Sequence, residues 1–284
     1  PQNMTFFSSS EKLEIDEIPF ISKAAKPSKQ EALEYYRRIA TSNHLNINLF
    51  EKVENVSSQD DHYQVTSEKG KYQTKNIILA TGFYDKPNYL NVKGEDLDKV
   101  VHYYDDPHFY AMQDVAVIGA SNSAVDAALE IYRKGANVSI IVRGDKIGER
   151  VKYWVRPDMI NRIKEGSINA YFNTTVTEIQ NDQLKLYNKE KDEHFSIKND
   201  HVLALTGYKP NFDFLNAIGI NITDEKSKIP YYNPQTMETN QSGIYLAGVI
   251  CGGMETHKWF IENSRIHAKM IIENIKTKNP VAAN

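Results

Sequence analysis

A chain of 284 residues, 40% hydrophobic and 25% charged, carries enough apolar material for one large domain or two ordinary ones. A formal net charge of −3 gives no field that would favour nucleic acid or an anionic membrane, and no apolar run approaches the roughly 20 residues of a spanning helix. The start, PQNMTFFSSS, shows neither the basic nor the apolar region of a secretion signal, and the single cysteine, Cys251, excludes an intramolecular disulfide, so the expected compartment is a reducing cytoplasm.

In chain order, residues 29–42 predict an amphipathic helix, with Leu33, Tyr36, Ile39 and Ala40 near helical spacing. Three strands follow: INLFEKV (47–53), HYQVTS (62–67) and KYQTKNIILA (71–80), with Gly70 at the hairpin between the last two. Pro87, Gly94 and Pro107, scattered among charges, mark 83–113 as a crossing segment. Residues 114–142 read as strand, turn, helix, turn, strand. A helix is expected over 151–164, starting near Pro157, and strands over 168–205 with turns at Asn181-Asp182 and 189–193. A last helix is expected over 258–276, with Phe260, Ile261, Ile271, Ile272 and Ile275 on its apolar side.

Three apolar strands end on glycine: ILATG (78–82), LALTG (203–207) and IYLAG (244–248). Such runs suit buried parallel strands whose carboxyl ends meet a ligand. Between them lies DVAVIGASNSAVDAALE (114–130). Val115 to Ile118 form the strand, Gly119 permits the tight turn, and Ala124 is small enough for close packing of the helix on the sheet. Backbone N–H groups at the helix start, over Ser121, Asn122, Ser123 and Ala124, would hold the diphosphate of a dinucleotide. The usual second glycine is Ser121 here, which puts a Cβ where the diphosphate approaches and also offers a capping hydroxyl. A plain strand–helix–strand unit is the alternative.

A dinucleotide site that prefers NAD has a carboxylate about 20 residues beyond its glycines, to accept the ribose 2′-hydroxyl. This second strand instead ends on Arg143, with Arg150 and Lys152 close behind. Guanidinium and ammonium groups suit the 2′-phosphate of NADPH. Gly207, closing a neighbouring strand, is assigned to the same nucleotide.

The late position of this unit, flanked by ATG (80–82), TGYKP (206–210) and TNQSGIYLAG (239–248), resembles flavoprotein reductases of the thioredoxin-reductase type. The chain is most similar to the bacillithiol-disulfide reductase family, on MTFFSSS (4–10), ATGFYDKPN (80–88), VIGASNSAVDAALE (117–130), VRG (142–144), KYWVRP (152–157) and AGVICGG (247–253). The resemblance implies an α/β fold of two Rossmann-like dinucleotide-binding domains, with an NADPH domain (87–207) inserted into an FAD domain (1–86 and 208–284). It implies the cofactors FAD and NADPH and the reduction of a low-molecular-weight disulfide such as bacillithiol disulfide. It places Phe6, Phe7, Ser8, Val53, Thr81, Gly82, Gly248, Val249, Thr256 and His257 near FAD, with Val249 standing where the family's ribityl-binding Asp is usual. For Phe6 to Ser8, a place in the amino-terminal core is the alternative. Residues 1–45 contain no glycine, so the family's first glycine loop, and the functional cysteine beside it, have no counterpart in this stretch. No catalytic residue is therefore assigned, and a chain starting at Pro1 is expected to lack stoichiometric FAD and activity of its own.

Cys251 has no CxxC partner and reads as a small packing residue rather than a redox thiol. None of the eight histidines shows metal-ligand spacing, so no metal is assigned. Basic and aromatic residues do not interleave as in a nucleic-acid binder. The expected partner is a small disulfide, with no nucleic acid or membrane and with room for a homo-oligomer. Two other functions stay open at this level. One is a ferredoxin/flavodoxin–NADP reductase or flavin monooxygenase of the same two-domain fold; the other is a non-catalytic NADP-binding module.

Overall fold

The computed structural model describes residues 3–278, and by its contacts the chain divides into two units. A middle unit holds Pro87–Gly207 with Asn3 and Met4; a split unit holds Thr5–Lys86 and the chain from Tyr208 onward.

The split unit begins with helix α1 (Lys29–Ser42). A capping box starts it: the Glu31 N–H donates to Ser28 Oγ at 3.2 Å, and the Ser28 N–H donates to Glu31 Oε2 at 2.8 Å. Its buried face is Ala32, Tyr35 and Ile39, which pack with Leu13 and Phe20. Leu33, expected on that face, is exposed. Tyr35 outcompetes it because its ring stacks on Phe20 at 4.5 Å while its hydroxyl donates to Ile18 O at 2.6 Å.

Strands β1 (Val53–Ser58), β2 (Tyr63–Ser67) and β3 (Lys71–Thr74) form an antiparallel meander, with the Gly70 turn between the last two. The strand expected over 47–53 is not there. Val53 opens β1, paired with Ser67, instead of ending a strand. Phe50 is 93% exposed and has φ 52°, which interrupts an extended run. A strand needs a hydrogen-bonded neighbour, and the ladder to β2 begins only at Val53. Strand β4 (Ile77–Leu79) then leads to the crossing at β5 (Lys86–Pro87).

In the middle unit come β6 (Val100–Val101), β7 (Asp114–Ile118), helix α2 (Asn122–Arg133) and β8 (Asn137–Ile141). Helix α3 (Arg156–Lys164) follows, with Pro157 in its first turn, then β9 (Asn169–Tyr171). Strands β10 (Thr174–Ile179), β11 (Gln183–Asn188) and β12 (Glu193–Lys198) form an antiparallel sheet before β13 (His201–Ala204). Five parallel strands run in the order β6-β13-β7-β8-β9. Alternation along β7 decides what covers each face. Val115 and Val117 pack into a core with Ala124, Ala127, Ala128 and Ile131 of α2. Ala116 and Ile118 face the other way, against Val176, Ile179, Leu184 and Leu186 of the antiparallel sheet. Both faces being covered, the strand is apolar from Val115 to Ile118.

The split unit resumes with β14 (Tyr208–Lys209), α4 (Phe212–Ala217) and β15 (Ile244–Leu246). β15 pairs in parallel with β4, Leu246 opposite Leu79. The helix expected over 258–276 is two pieces, α5 (Ile261–Ser264) and α6 (Ile266–Lys278). The Ser264 hydroxyl donates to Phe260 O at 2.7 Å, a side-chain bond that competes with the backbone ladder at the break. Ile271 is fully buried, whereas Phe260, Ile261 and Ile272 are exposed rather than on a common buried side. No helix among the described residues is long and apolar enough to cross a membrane.

Candidate functional site

The middle unit builds its site where β7 and β13 end together. The Leu205 N–H donates to Ile118 O at 3.0 Å, so the chain leaves both strands at the same level. Gly119 sits there at φ 139°. A Cβ at this position would stand 2.5 Å from Leu205 O and 3.0 Å from the Ala124 Cβ, so only glycine fits between strand end and helix. Ser121 is the N-cap of α2 and its side chain makes no capping bond. The first helical bond runs from the Val125 N–H to Ser121 O, which leaves the N–H groups of Asn122, Ser123 and Ala124 without intrahelical acceptors. A close turn, a twelve-residue helix and a hydroxyl not used in capping fit a diphosphate.

Gly207 lies two residues beyond Leu205, and the Asn88 N–H donates to its carbonyl at 2.9 Å. The Thr206 hydroxyl donates to Asn88 O, so Asn88 holds this second turn from both sides. The structure thus gathers Gly119, Ser121, Asn122, Ser123, Ala124 and Gly207 at the carboxyl ends of adjacent strands.

Past β8, Val142 is buried and Arg143 is exposed. The following loop folds back across the glycine turn. The Gly148 N–H donates to Ala120 O at 2.9 Å, and a Cβ on Gly148 would come within 2.7 Å of that oxygen. Asn122 Nδ2 donates to Arg150 O at 3.2 Å, and the Lys152 N–H donates to Asn122 Oδ1 at 2.9 Å. The Lys152 side chain does not join a basic cluster with Arg143. Its ammonium lies 2.8 Å from Asp126 Oδ2, a pair only 11% and 20% exposed. The cause is helical geometry: Asp126 stands one turn after Asn122 on the same face of α2. Nothing in the sequence around Lys152 marks that pairing, which joins residues 26 apart.

In the split unit the paired ends of β4 and β15 send Thr81-Gly82 and Gly248-Val249 out side by side, with the Ala247 N–H donating to Leu79 O at 2.9 Å. The nearest atom to a Cβ on Gly82 is Val249 Cγ1 at 4.0 Å, and a Cβ on Gly248 would meet nothing within 4 Å. This open ledge of small residues fits the close approach of a flat ring. Beneath it, the Gly248 N–H donates to His267 Nδ1 at 3.1 Å. Nothing around His267, a lone histidine on a helix, marks that role in the sequence.

The other residues expected near a flavin also lie in the split unit. Phe6 packs against the cluster of Leu13, Phe20 and Tyr35. Phe7 is exposed, with Lys26 Nζ 5.3 Å from its ring centre, and Ser8 is buried. Val53 opens β1 at the surface. Thr256 and His257 lie in a turn ahead of α5, which begins at Ile261 and has only four residues, so no long helix dipole points from them.

Cys251 is fully buried, 3.9 Å from His267 Nδ1, and burial pushes its thiol up to about 12. It is a packing group and not a thiolate at neutral pH. Among the described residues no group of three or more His, Cys, Asp or Glu is placed to hold a metal ion.

The model of the pyridine nucleotide-disulphide oxidoreductase family matches residues 1–248. Bacilliredoxin reductase Bdr of Bacillus subtilis is 42% identical over 276 residues, 97% of this chain and 85% of that protein. Among solved structures, bacillithiol disulfide reductase Bdr of Staphylococcus aureus superposes with a TM-score of 0.95 at 38% identity, over 98% of this chain and 86% of that one. The Bacillus cereus protein of the same description gives 0.93 at 41% identity, over 98% and 87%. The chain belongs to the pyridine nucleotide-disulphide oxidoreductase family, in the branch of the bacilliredoxin reductases.

Proposed function

We propose that this protein is an NADPH-dependent, FAD-containing reductase of a low-molecular-weight thiol disulfide, bacillithiol disulfide, acting in the cytoplasm. Membership of the family brings an oxidoreductase activity with nicotinamide and flavin cofactors. The choice of substrate rests on relatives named for bacillithiol disulfide that match at 38% and 41% identity over 98% of the chain.

When bound, the nicotinamide supplies a hydride and the flavin relays the electron pair to a disulfide. The residues of this chain bind and orient. In this reading the middle unit is the NADPH domain and the split unit the FAD domain. The N–H groups over residues 122–124 and the Ser121 hydroxyl take the nucleotide diphosphate. Arg143 and Arg150 carry positive charge to the 2′-phosphate, while Lys152 serves the loop through Asp126. Thr81, Gly82, Gly248 and Val249 form the flavin ledge. Cys251 is not a relay thiol, because its burial keeps it protonated.

The observation that carries the proposal is the sequence and structural match to both bacillithiol disulfide reductases along nearly the whole chain. The test is NADPH oxidation by the FAD-loaded holoenzyme with bacillithiol disulfide, glutathione disulfide, cystine or oxidised ferredoxin as acceptor. Turnover that depends on bacillithiol disulfide supports the reading. Turnover with ferredoxin alone, or NADH used as well as NADPH, overturns it.

A further inference from the structure

We infer that Asn122 is a positioning residue for nucleotide selectivity: its side-chain amide clamps the basic loop 148–152 against the glycine turn and so sets where that loop's charge stands. This rests on the NADPH reading above and goes beyond it, since a diphosphate cradle alone needs only the backbone N–H of residue 122.

The geometry is that of a two-sided clamp. Nδ2 donates to Arg150 O and Oδ1 accepts from the Lys152 N–H, so one amide grips the peptide chain on both sides of Val151. Val151 itself is 4% exposed and packs in the core with Ala124 and Val125. The loop is thus held by its buried valine and by the amide that brackets it. Of the short side chains, only asparagine offers both a donor pair and an acceptor in this spacing. Alanine has neither, and aspartate keeps the acceptor while losing the donor.

Two further contacts fix the loop on the same side of the turn. Gly148 donates to Ala120 O, and Lys152 is drawn onto Asp126. The ammonium of Lys152 is turned to Asp126 on α2, and the clamp's acceptor is the carbonyl of Arg150, so the same amide sets where the Arg150 backbone stands. Freeing the loop would not remove any charge. It would let Arg150 spread over many positions, so that binding must order it each time, a cost borne only by a ligand that carries the 2′-phosphate.

The test uses fragments that separate the two phosphates. Binding of 2′,5′-ADP and of 5′-AMP to the full chain is measured by calorimetry for the wild type, Asn122→Ala and Asn122→Asp. Either substitution is expected to lower the ratio of the two affinities about tenfold, with 5′-AMP itself weakened less than about twofold by alanine. In the holoenzyme, alanine is expected to raise the KM for NADPH by a clearly larger factor than the KM for NADH. A fall in kcat with no change in KM would point to a structural role and overturn the inference. An unchanged ratio in both variants, or equal loss of both fragments, would also overturn it. Aspartate is nearly isosteric, so it keeps the test open should the alanine variant fail to fold. A wild-type protein that binds 2′,5′-ADP no better than 5′-AMP overturns the NADPH reading itself, before any variant is compared.

Discussion

Substituting Gly119 by alanine tests the cradle at its tightest point. The backbone there has φ 139°, a conformation L side chains rarely adopt, which costs about 1–3 kcal/mol. The new Cβ would also stand 2.5 Å from Leu205 O. That oxygen cannot simply move, because the Leu205 N–H is bonded to Ile118 O in the ladder joining β13 to β7. Relief must come from displacing α2 or opening the strand ends, at about 1–3 kcal/mol more. The sum, about 2–6 kcal/mol, is a large part of the roughly 5–15 kcal/mol that stabilises a typical domain. Gly135→Ala is the control: its φ is 87° and a Cβ there meets nothing within 4 Å, so only the backbone term of about 1–2 kcal/mol applies. Urea unfolding of both variants in a Trp259→Phe background leaves Trp154, in the middle unit, as reporter. With m-values of about 1–3 kcal/mol per molar, Gly119→Ala is expected to lower the midpoint by about 1–3 M and Gly135→Ala by about a third to a half of that. Equal midpoints for the two variants would refute the steric argument for the turn.

Three other outcomes can be checked independently. Arg143→Ala is expected to weaken NADPH by about 10–100-fold and NADH by little, since a charged hydrogen bond contributes about 1.5–3 kcal/mol; steady-state KM values with both nucleotides decide it, and equal losses count against Arg143. Burial lowers the pKa of His267 below 6.5, so the unfolded chain takes up a proton that the native state refuses. The stability from its neutral ring is therefore complete above about pH 6.5 and is lost as pH falls below it; Cys251 nearby stays protonated throughout. His267→Asn, which keeps an acceptor near the Nδ1 position, should flatten the fall in unfolding free energy between pH 7 and about 5.5. The Ser28 and Lys23 N–H groups hold Glu31 at about 2, down from 4.5, so its contribution is full above pH 4.5 and is lost as pH falls from there toward 2. Glu31→Gln should show a shallower acid limb over that range than the wild type, followed by circular dichroism.

Local chemistry was legible in the sequence wherever a few neighbouring residues decide the outcome. The span 29–42 of α1 follows from apolar residues at helical spacing, and a capping box of Ser28 and Glu31 starts it. The apolar run 115–118, one glycine and an alanine-rich helix could form only a strand, a tight turn and a close-packed helix, as β7 and α2 do. The family too was carried by short motifs of this kind. Tertiary structure decided what depends on a partner far along the chain. Residues 47–50 have the composition of a strand but gain no ladder, because pairing with β2 starts only at Val53. Periodicity could not choose between Leu33 and Tyr35 for the buried side of α1; a ring from Phe20 and a carbonyl from Ile18 chose. Lys152 reads as a phosphate ligand until α2 brings Asp126 within 2.8 Å. His267 looks like any helical histidine until the Gly248 N–H, 19 residues away, needs an acceptor. In each case several arrangements satisfy the local rules equally. The one that forms is set by competition among polar groups and faces that only the folded chain brings within reach of each other.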